Sequence, residues 1–252
     1  MDTSALLEQL KSADEETRAD AREELTLQMN DEIAAEFLAI AKSSQDERVR
    51  ADTIIGLGPI LEEAGLDYGD AEGEVDLGEF GPGITRATFD TIQRELRAIF
   101  EDESQPKLVR RSALEALVRD PKQWQADAIR TLAASDDAQW RMTAVFAMGY
   151  VPGFESDIMR FIETSDGALL YEAVRAAGRA EMSEAAEKLR AIAGDERADA
   201  DLRAAAIEAL PYVDDACDEL LETLAEHKNE EIADAAEFAL EELSIMAQDV
   251  EE

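Results

Sequence analysis

The chain has 252 residues, 46% of them hydrophobic and 6% aromatic, so it can bury a sizeable core with few aromatic side chains. Sixty acidic residues against 24 basic ones give a formal net charge of -36. This charge repels phosphate backbones and anionic lipid, which argues against nucleic acid and membranes as partners. The stretch from Met1 to Leu10 is polar and acidic, and no segment approaches about 18 apolar residues. We therefore expect a soluble, cytoplasmic protein.

The basic residues are biased, with 18 Arg against 6 Lys. A high-salt cytoplasm explains both this bias and the acidity, because salt at 1 M screens charge repulsion within about 3 Å. A GC-rich genome combined with ordinary acidity is the alternative. The composition thus fits a halophilic source as well as a GC-rich genome.

One short pattern recurs along the whole chain. An acidic residue is followed three positions later by an apolar anchor, usually then by Arg, as in Asp46, Val49 and Arg50. Small or apolar residues recur four, five, seven and eight positions after the anchor, which is helical spacing. The anchors are Thr17, Val49, Val109, Trp140, Leu169, Leu202 and Ile232.

Successive anchors are 32, 60, 31, 29, 33 and 30 residues apart. A period near 31 residues with helical spacing predicts a two-helix repeat, interrupted by one insertion in the 60-residue step. The first helix of each pair is expected before its anchor. These predicted first helices cover residues 33–41, 84–100, 124–133, 158–162, 185–192 and 220–224.

The repeated pattern resembles the second helix of HEAT repeats, including the short form named after phycobilisome lyases. The resemblance implies an all-α, right-handed α-α superhelix, a solenoid of about seven two-helix repeats, as one domain over residues 1–252. It also implies that the Asp and Arg of the pattern form a ladder between neighbouring repeats. Pro106 and Asn229 depart from the Asp, and Leu170 and Ala233 depart from the Arg.

Stacked hairpins share a continuous core, and the terminal repeats must be polar outside. Arg22 and Glu237 stand at the fifth position after their anchors, where the inner repeats have apolar residues. They are therefore expected to mark the two caps.

The insertion at residues 65–83, between repeats 2 and 3, is the Gly-rich part of the chain and is predicted to be an acidic loop. It is either a tolerated mobile loop or a binding element. The second alternative rests on Tyr68, Val75, Leu77 and Phe80, which are more apolar than a linker needs. A calcium loop is disfavoured. An EF-hand frame that starts at Asp70 puts Val75 and Gly81 where Gly and Glu are needed.

Enzymatic chemistry finds little support in the sequence. The metal-dependent hydroxylase among HEAT-like proteins holds a di-iron centre with repeated His-Glu pairs, whereas His227 is the one His of this chain. Cys217 is the one Cys, and it lies on a different helical turn from His227. We expect no enzyme, no metal and no cofactor. Bilin lyases of the short-repeat group transfer a tetrapyrrole, and no motif excludes that activity.

A candidate binding face follows from the positions that the pattern leaves outward, which are two, three and six residues after each anchor. In the end repeats these positions are mainly polar, acidic or Ala. In the middle repeats they combine apolar, aromatic and basic groups, which suits a protein interface. Ordinary core packing of Met142 and Phe146 is the alternative. The candidate residues are Arg111, Met142, Phe146, Tyr171, Glu172 and Arg175.

The sequence thus favours a non-enzymatic scaffold or adaptor that binds a protein or peptide on its concave face. An acidic surface around an apolar patch favours a partner with basic and apolar groups. The alternatives are a lyase-type or chaperone-like maturation factor, which a bound chromophore or cofactor would indicate, and a purely architectural subunit, which would form a constitutive complex.

We expect the thermal midpoint of unfolding to rise with KCl up to molar concentration, because salt screens the repulsion within a chain of net charge -36. Calorimetry from 0.1 to 3 M KCl at constant pH measures this. A midpoint that stays flat or falls removes the inference of a high-salt cytoplasm.

Overall fold

The computed structural model describes residues 2–68 and 83–249, which contain fifteen α-helices. None of these helices is both long and apolar enough to span a membrane. A short 3-10 turn, Ser183–Ala185, precedes α12. The helices are α1 Thr3–Gln9, α2 Glu15–Leu27, α3 Asp31–Ser43, α4 Glu47–Ile55, α5 Gly58–Tyr68, α6 Arg86–Glu101, α7 Lys107–Leu117, α8 Gln123–Ala133, α9 Ala138–Met148, α10 Glu155–Thr164, α11 Gly167–Arg179, α12 Ala186–Gly194, α13 Ala200–Val213, α14 Asp218–Ala225 and α15 Glu230–Asp249.

The chain forms two compact units, Met1–Gln123 and Trp124–Glu252. In the first, α1 pairs with α2, α3 with α4 and α6 with α7, and the second helices α2, α4 and α7 pack side by side. In the second, the pairs are α10 with α11, α12 with α13 and α14 with α15, and α9, α11, α13 and α15 pack in series. The predicted all-α fold of stacked hairpins is confirmed. One continuous solenoid over residues 1–252 stays a prediction.

Every predicted anchor is the third residue of a second helix, from Thr17 in α2 to Ile232 in α15. The Asp three residues earlier is the N-cap residue. Asp14, Asp46, Asp137 and Asp199 each accept a hydrogen bond from a backbone N–H of the first turn. Such a cap stabilises a helix by about 1 kcal/mol. Asn229 makes the same bond, to the N–H of Glu231, at 3.1 Å, whereas Pro106 and Asp166 make none.

The Arg that follows the anchor mainly ties the two helices of its own hairpin. The Nε atoms of Arg50, Arg110 and Arg203 donate to the carbonyl oxygens of Ala41, Phe100 and Ala193, at 2.6, 2.9 and 3.0 Å. These carbonyls belong to the last turns of α3, α6 and α12, which lack intrahelical donors.

In the first unit, two of these Arg residues also contact a neighbouring repeat. Arg18 also pairs with Asp52 at 2.6 Å, and Arg50 also donates to Gln105 at 2.7 Å. The predicted ladder is therefore largely a bond within each hairpin. Leu170 and Ala233 cannot form it.

Small side chains at the fourth position after each anchor allow the second helices to stack. All seven of these residues have no exposed surface, in both units. At the fifth position the inner residues are fully buried, whereas Arg22 is half-buried and Glu237 is exposed, as expected of caps. The residues at the fourth position are Ala21, Thr53, Ala113, Ala144, Ala173, Ala206 and Ala236.

Two glycines bring neighbouring second helices closer still. A Cβ atom on Gly178 of α11 would lie 2.8 Å from the Cβ of Ala209 in α13 and 3.2 Å from its Cα. A Cβ atom on Gly149, after α9, would lie 3.0 Å from the Cα of Ala176 in α11. Both positions thus require the absence of a side chain.

The predicted loop at residues 65–83 is wrong at its start, because residues 65–68 complete α5. Tyr68 is buried, donates from its hydroxyl to the carbonyl of Ile84 at 3.0 Å and packs against Phe89. It is a core residue rather than a binding residue, because its ring packs against Phe89 of α6. Leu66 is 89% exposed. Residues 69–82, with Val75, Leu77, Phe80 and the proposed calcium frame, lie outside the described residues.

We expect Gly178→Ala to lower the free energy of unfolding by about 1–3 kcal/mol, because overpacking pushes α11 away from α13. Gly194→Ala is the matched control, since its Cβ would meet nothing within 4 Å. This control should be neutral or stabilising by up to about 1 kcal/mol through helix propensity. Urea unfolding at fixed salt compares the two. Equal stabilities would contradict the close approach of the helices.

Candidate functional site

The outward positions of the second helices differ in exposure. Position 6 after the anchor is open in every repeat, with Ile55, Arg175 and Glu208 exposed and Phe146 half-buried. Position 3 is buried in four repeats, at Ser112, Thr143, Ala205 and Ala235. Position 3 lies only about 40° around the helix axis from position 7, which faces the core. The prediction that position 3 faces out is therefore wrong for these repeats.

A groove of about 420 Å³ lies along α2, α4 and α7 in the first unit. Ala51, Ile55 and Leu108 form its apolar part. Ala51 and Ile55 stand at positions 2 and 6 of α4, and both line the groove, with Ala51 almost fully buried and Ile55 exposed. The polar lining residues are Glu15, Arg18, Arg48, Asp52, Arg111, Ser112 and Glu115.

The charges of this groove balance, with three Arg against three carboxylates, whereas the whole chain carries -36. Arg18 pairs with Asp52 at 2.6 Å, and Arg111 pairs with Glu115 at 3.5 Å. Arg48 is exposed, and its guanidinium makes no hydrogen bond or ion pair within the described residues. The groove therefore offers an apolar floor and one cation ready for an oxygen ligand.

Phe146 of α9 belongs to an aromatic cluster in the second unit. The guanidinium of Arg179, at the end of α11, lies 4.7 Å from the centroid of Phe146 and 5.3 Å from that of Tyr150. The two rings are 5.2 Å apart. Arg179 also pairs with Glu172, and its Nε is buried without a hydrogen-bond partner. The cluster fixes the side chain of Phe146 on the surface that α9 and α11 share.

The remaining predicted residues lie beside this cluster or apart from it. The guanidinium of Arg175 lies 5.8 Å from the centroid of Tyr171, and Arg175 is exposed. Met142 is half-buried on α9. Arg111 belongs to the groove of the first unit. The structure thus joins Phe146 with Glu172 through Arg179 and joins Tyr171 with Arg175, while partner binding by the six residues stays a prediction.

Several surface residues escaped the sequence pattern. Arg48 and Leu108 stand one position before their anchors, which is seven before position 6 and so on the same side of the helix. That spacing could have identified them. Tyr150 and Arg179 stand ten residues after their anchors, each following a glycine of close approach. This shared position, directly after a glycine, could have identified Tyr150 and Arg179 as neighbours of the predicted binding residues.

The described residues place little catalytic chemistry together. Cys217 is buried before α14, and burial together with nearby Asp214 raises the pKa of its thiol to about 11, so it is protonated at neutral pH. His227 lies beyond the other end of α14 and accepts a hydrogen bond on Nδ1 from the N–H of Asn229 at 3.1 Å. Within residues 2–68 and 83–249, no group of three or more His, Cys, Asp or Glu is arranged to hold a metal ion.

Paired helices whose second helices pack in series within each unit are the arrangement of HEAT-like and armadillo-like repeat folds. No protein-family model matches the sequence, and no curated protein sequence matches it.

Three solved structures are similar over nearly the whole chain. Human deoxyhypusine hydroxylase has 13% identity and a TM-score of 0.40, with 96% of each chain covered. YibA of Escherichia coli has 14% identity and a TM-score of 0.43, with 97% of this chain and 93% of YibA covered. A designed armadillo repeat protein, in complex with the peptide (KR)4, has 16% identity and a TM-score of 0.37, with 96% and 100% covered. These values describe general architecture and carry no functional argument.

Proposed function

We propose that the chain is a non-enzymatic scaffold that binds a segment of a partner protein, without a cofactor. The groove of α2, α4 and α7 is the observation that carries this proposal. It is concave, holds about 420 Å³ and combines an apolar floor with balanced charges in a strongly acidic chain. Such a neutral patch within a charged rim is typical of a protein interface.

The groove suits a peptide with one apolar anchor. Ile55 is 38% exposed, and it can bury this surface against an apolar side chain of the partner. The guanidinium of Arg48 can donate to a backbone carbonyl or a carboxylate of the bound segment. Since the molecule carries -36 overall, long-range attraction favours a segment with additional basic residues.

The surface of α9 and α11 supports a second contact area in the other unit. Phe146, Tyr171 and Arg175 are residue types that interfaces favour, and the exposed guanidinium of Arg175 stands beside the ring of Tyr171. Met142 adds a side chain that adapts to partners of different shape. These residues fit an interface better than a solvated face, because the apolar surface of two aromatic rings is stabilised only when a partner buries it.

The absence of catalysis is part of the proposal. A buried thiol with a raised pKa is a poor nucleophile, and His227 lies at the far end of α14 from it. No described contact favours the alternative of a lyase-type or chaperone-like maturation factor.

The test is affinity capture from lysate of the source organism at native salt, with bound proteins identified by mass spectrometry and then titrated as purified proteins. Ile55→Glu with Arg111→Glu should lower the affinity of the captured partner at least about tenfold, because a charge replaces the apolar floor. Phe146→Glu with Tyr171→Ala tests the surface of the second unit in parallel.

Leu27→Glu is the matched control, because Leu27 is 80% exposed and does not line the groove. It should keep the partner, and all variants must retain the wild-type helical content by circular dichroism. If the wild type and both double variants capture the same proteins with the same affinity, the scaffold proposal fails for these surfaces.

A further inference from the structure

The last helix, α15, exposes three large apolar side chains. Phe238, Ile245 and Met246 are 50%, 53% and 39% exposed. Phe238 and Ile245 are seven residues apart and so lie within about 20° of each other around the helix axis, with Met246 to one side. The opposite side of α15, including Ile232 and Ala236, is buried against α13 and α14. We call the three exposed residues the α15 stripe.

The α15 stripe is enclosed by negative charge. The helix contains seven acidic residues and no basic one. Around the axis, Asp234 and Glu241 flank the stripe on one side, and Glu231 and Glu242 lie between Phe238 and Met246. The negative end of the helix dipole adds to this charge, because the last turn contains no basic residue.

Tyr212 extends the apolar surface onto α13. Its side chain is partly exposed, and its hydroxyl donates to Glu242 at 2.6 Å. This hydrogen bond, together with burial and the nearby negative charge, raises the pKa of Tyr212 to about 12. Glu242 lies one turn after Phe238 and one turn before Met246, so the ring of Tyr212 stands beside the α15 stripe. Two packed helices thus share one apolar surface with an acidic border.

We propose that the α15 stripe docks a basic amphipathic helix of a partner protein. The apolar face of such a helix covers Phe238, Ile245 and Met246, while its Lys and Arg side chains meet the flanking carboxylates. A second copy of this chain is a poor occupant, because it would bring two acidic helices together without a basic residue on either. All residues of this site belong to α13 and α15, so the inference does not rest on the proposed function.

The probe is a fluorescein-labelled peptide of about 18 residues, or five helical turns, built from Leu and Lys in amphipathic order. Its binding to the full chain is measured by fluorescence anisotropy in 0.5 M KCl, where screening weakens diffuse attraction. A peptide of the same composition in scrambled order is the peptide control. We expect the amphipathic peptide to bind at least about tenfold more tightly than the scrambled one.

Phe238→Ser with Ile245→Ser should reduce the affinity for the amphipathic peptide at least about tenfold. Glu241→Lys, which keeps the stripe, should reduce it several-fold by charge alone. Leu27→Ser is the matched control, since it removes an exposed apolar side chain from α2, and it should leave the affinity unchanged. About half of each stripe side chain is exposed, so all variants should stay folded with the helical content of the wild type, which circular dichroism checks.

Equal binding of the scrambled peptide would show diffuse electrostatic attraction and overturn the inference. Loss of the peptide in Phe146→Glu with Tyr171→Ala, but not in the α15 variant, would also overturn it and leave the proposed function standing. Conversely, peptide binding that depends on the stripe supports this inference even if capture from lysate shows no groove partner.

Discussion

A helical hairpin in this chain cannot bury its apolar side alone, so within each unit the hairpins depend on the contacts between successive second helices. Those contacts are made by small residues. The fourth position after every anchor is Ala or Thr without exposed surface, from Ala21 to Ala236. Where the helices come closest, at Gly149 and Gly178, even a methyl group does not fit without displacement. The remaining features, including caps, grooves and outward side chains, follow from this spacing.

Close stacking determines where a partner can bind. In the five inner repeats, positions 4, 5, 7 and 8 are buried in the core, and position 3 is buried in four of the seven repeats. Position 6, together with the residue just before the anchor, stays open in both units. In the first unit Ile55 and Arg48 occupy these places in the groove, and in the second Phe146 and Phe238 stand at position 6. Chemistry can vary there without disturbing the stack, because the core does not use these side chains.

The repeated second helices could be predicted from the sequence, because the same pattern of residues recurs in each repeat. Every anchor from Thr17 to Ile232 is the third residue of its helix, and the residue three before it, an Asp in five of the seven repeats, immediately precedes the helix. Contacts that occur in one repeat alone could not be predicted, because no recurring pattern marks them. The extra helix α5 has no counterpart in the other repeats. The hydrogen bond from the hydroxyl of Tyr68 to the carbonyl of Ile84 likewise follows no spacing of the repeat. The guanidinium of Arg179 lies over the ring of Phe146 because Gly149 has no side chain to block it. This contact joins two repeats, so the spacing within one repeat does not predict it.

The register of the repeat is the central claim, and thiol labelling tests it directly. In a Cys217→Ala background, Ala206→Cys places a thiol at position 4 of α13, and Glu208→Cys places one at position 6. Because Ala206 is fully buried and Glu208 is exposed, native-state labelling should be at least about a hundredfold slower at residue 206. Similar rates in two folded variants, or faster labelling at residue 206, would contradict the register and every outward surface assigned from it.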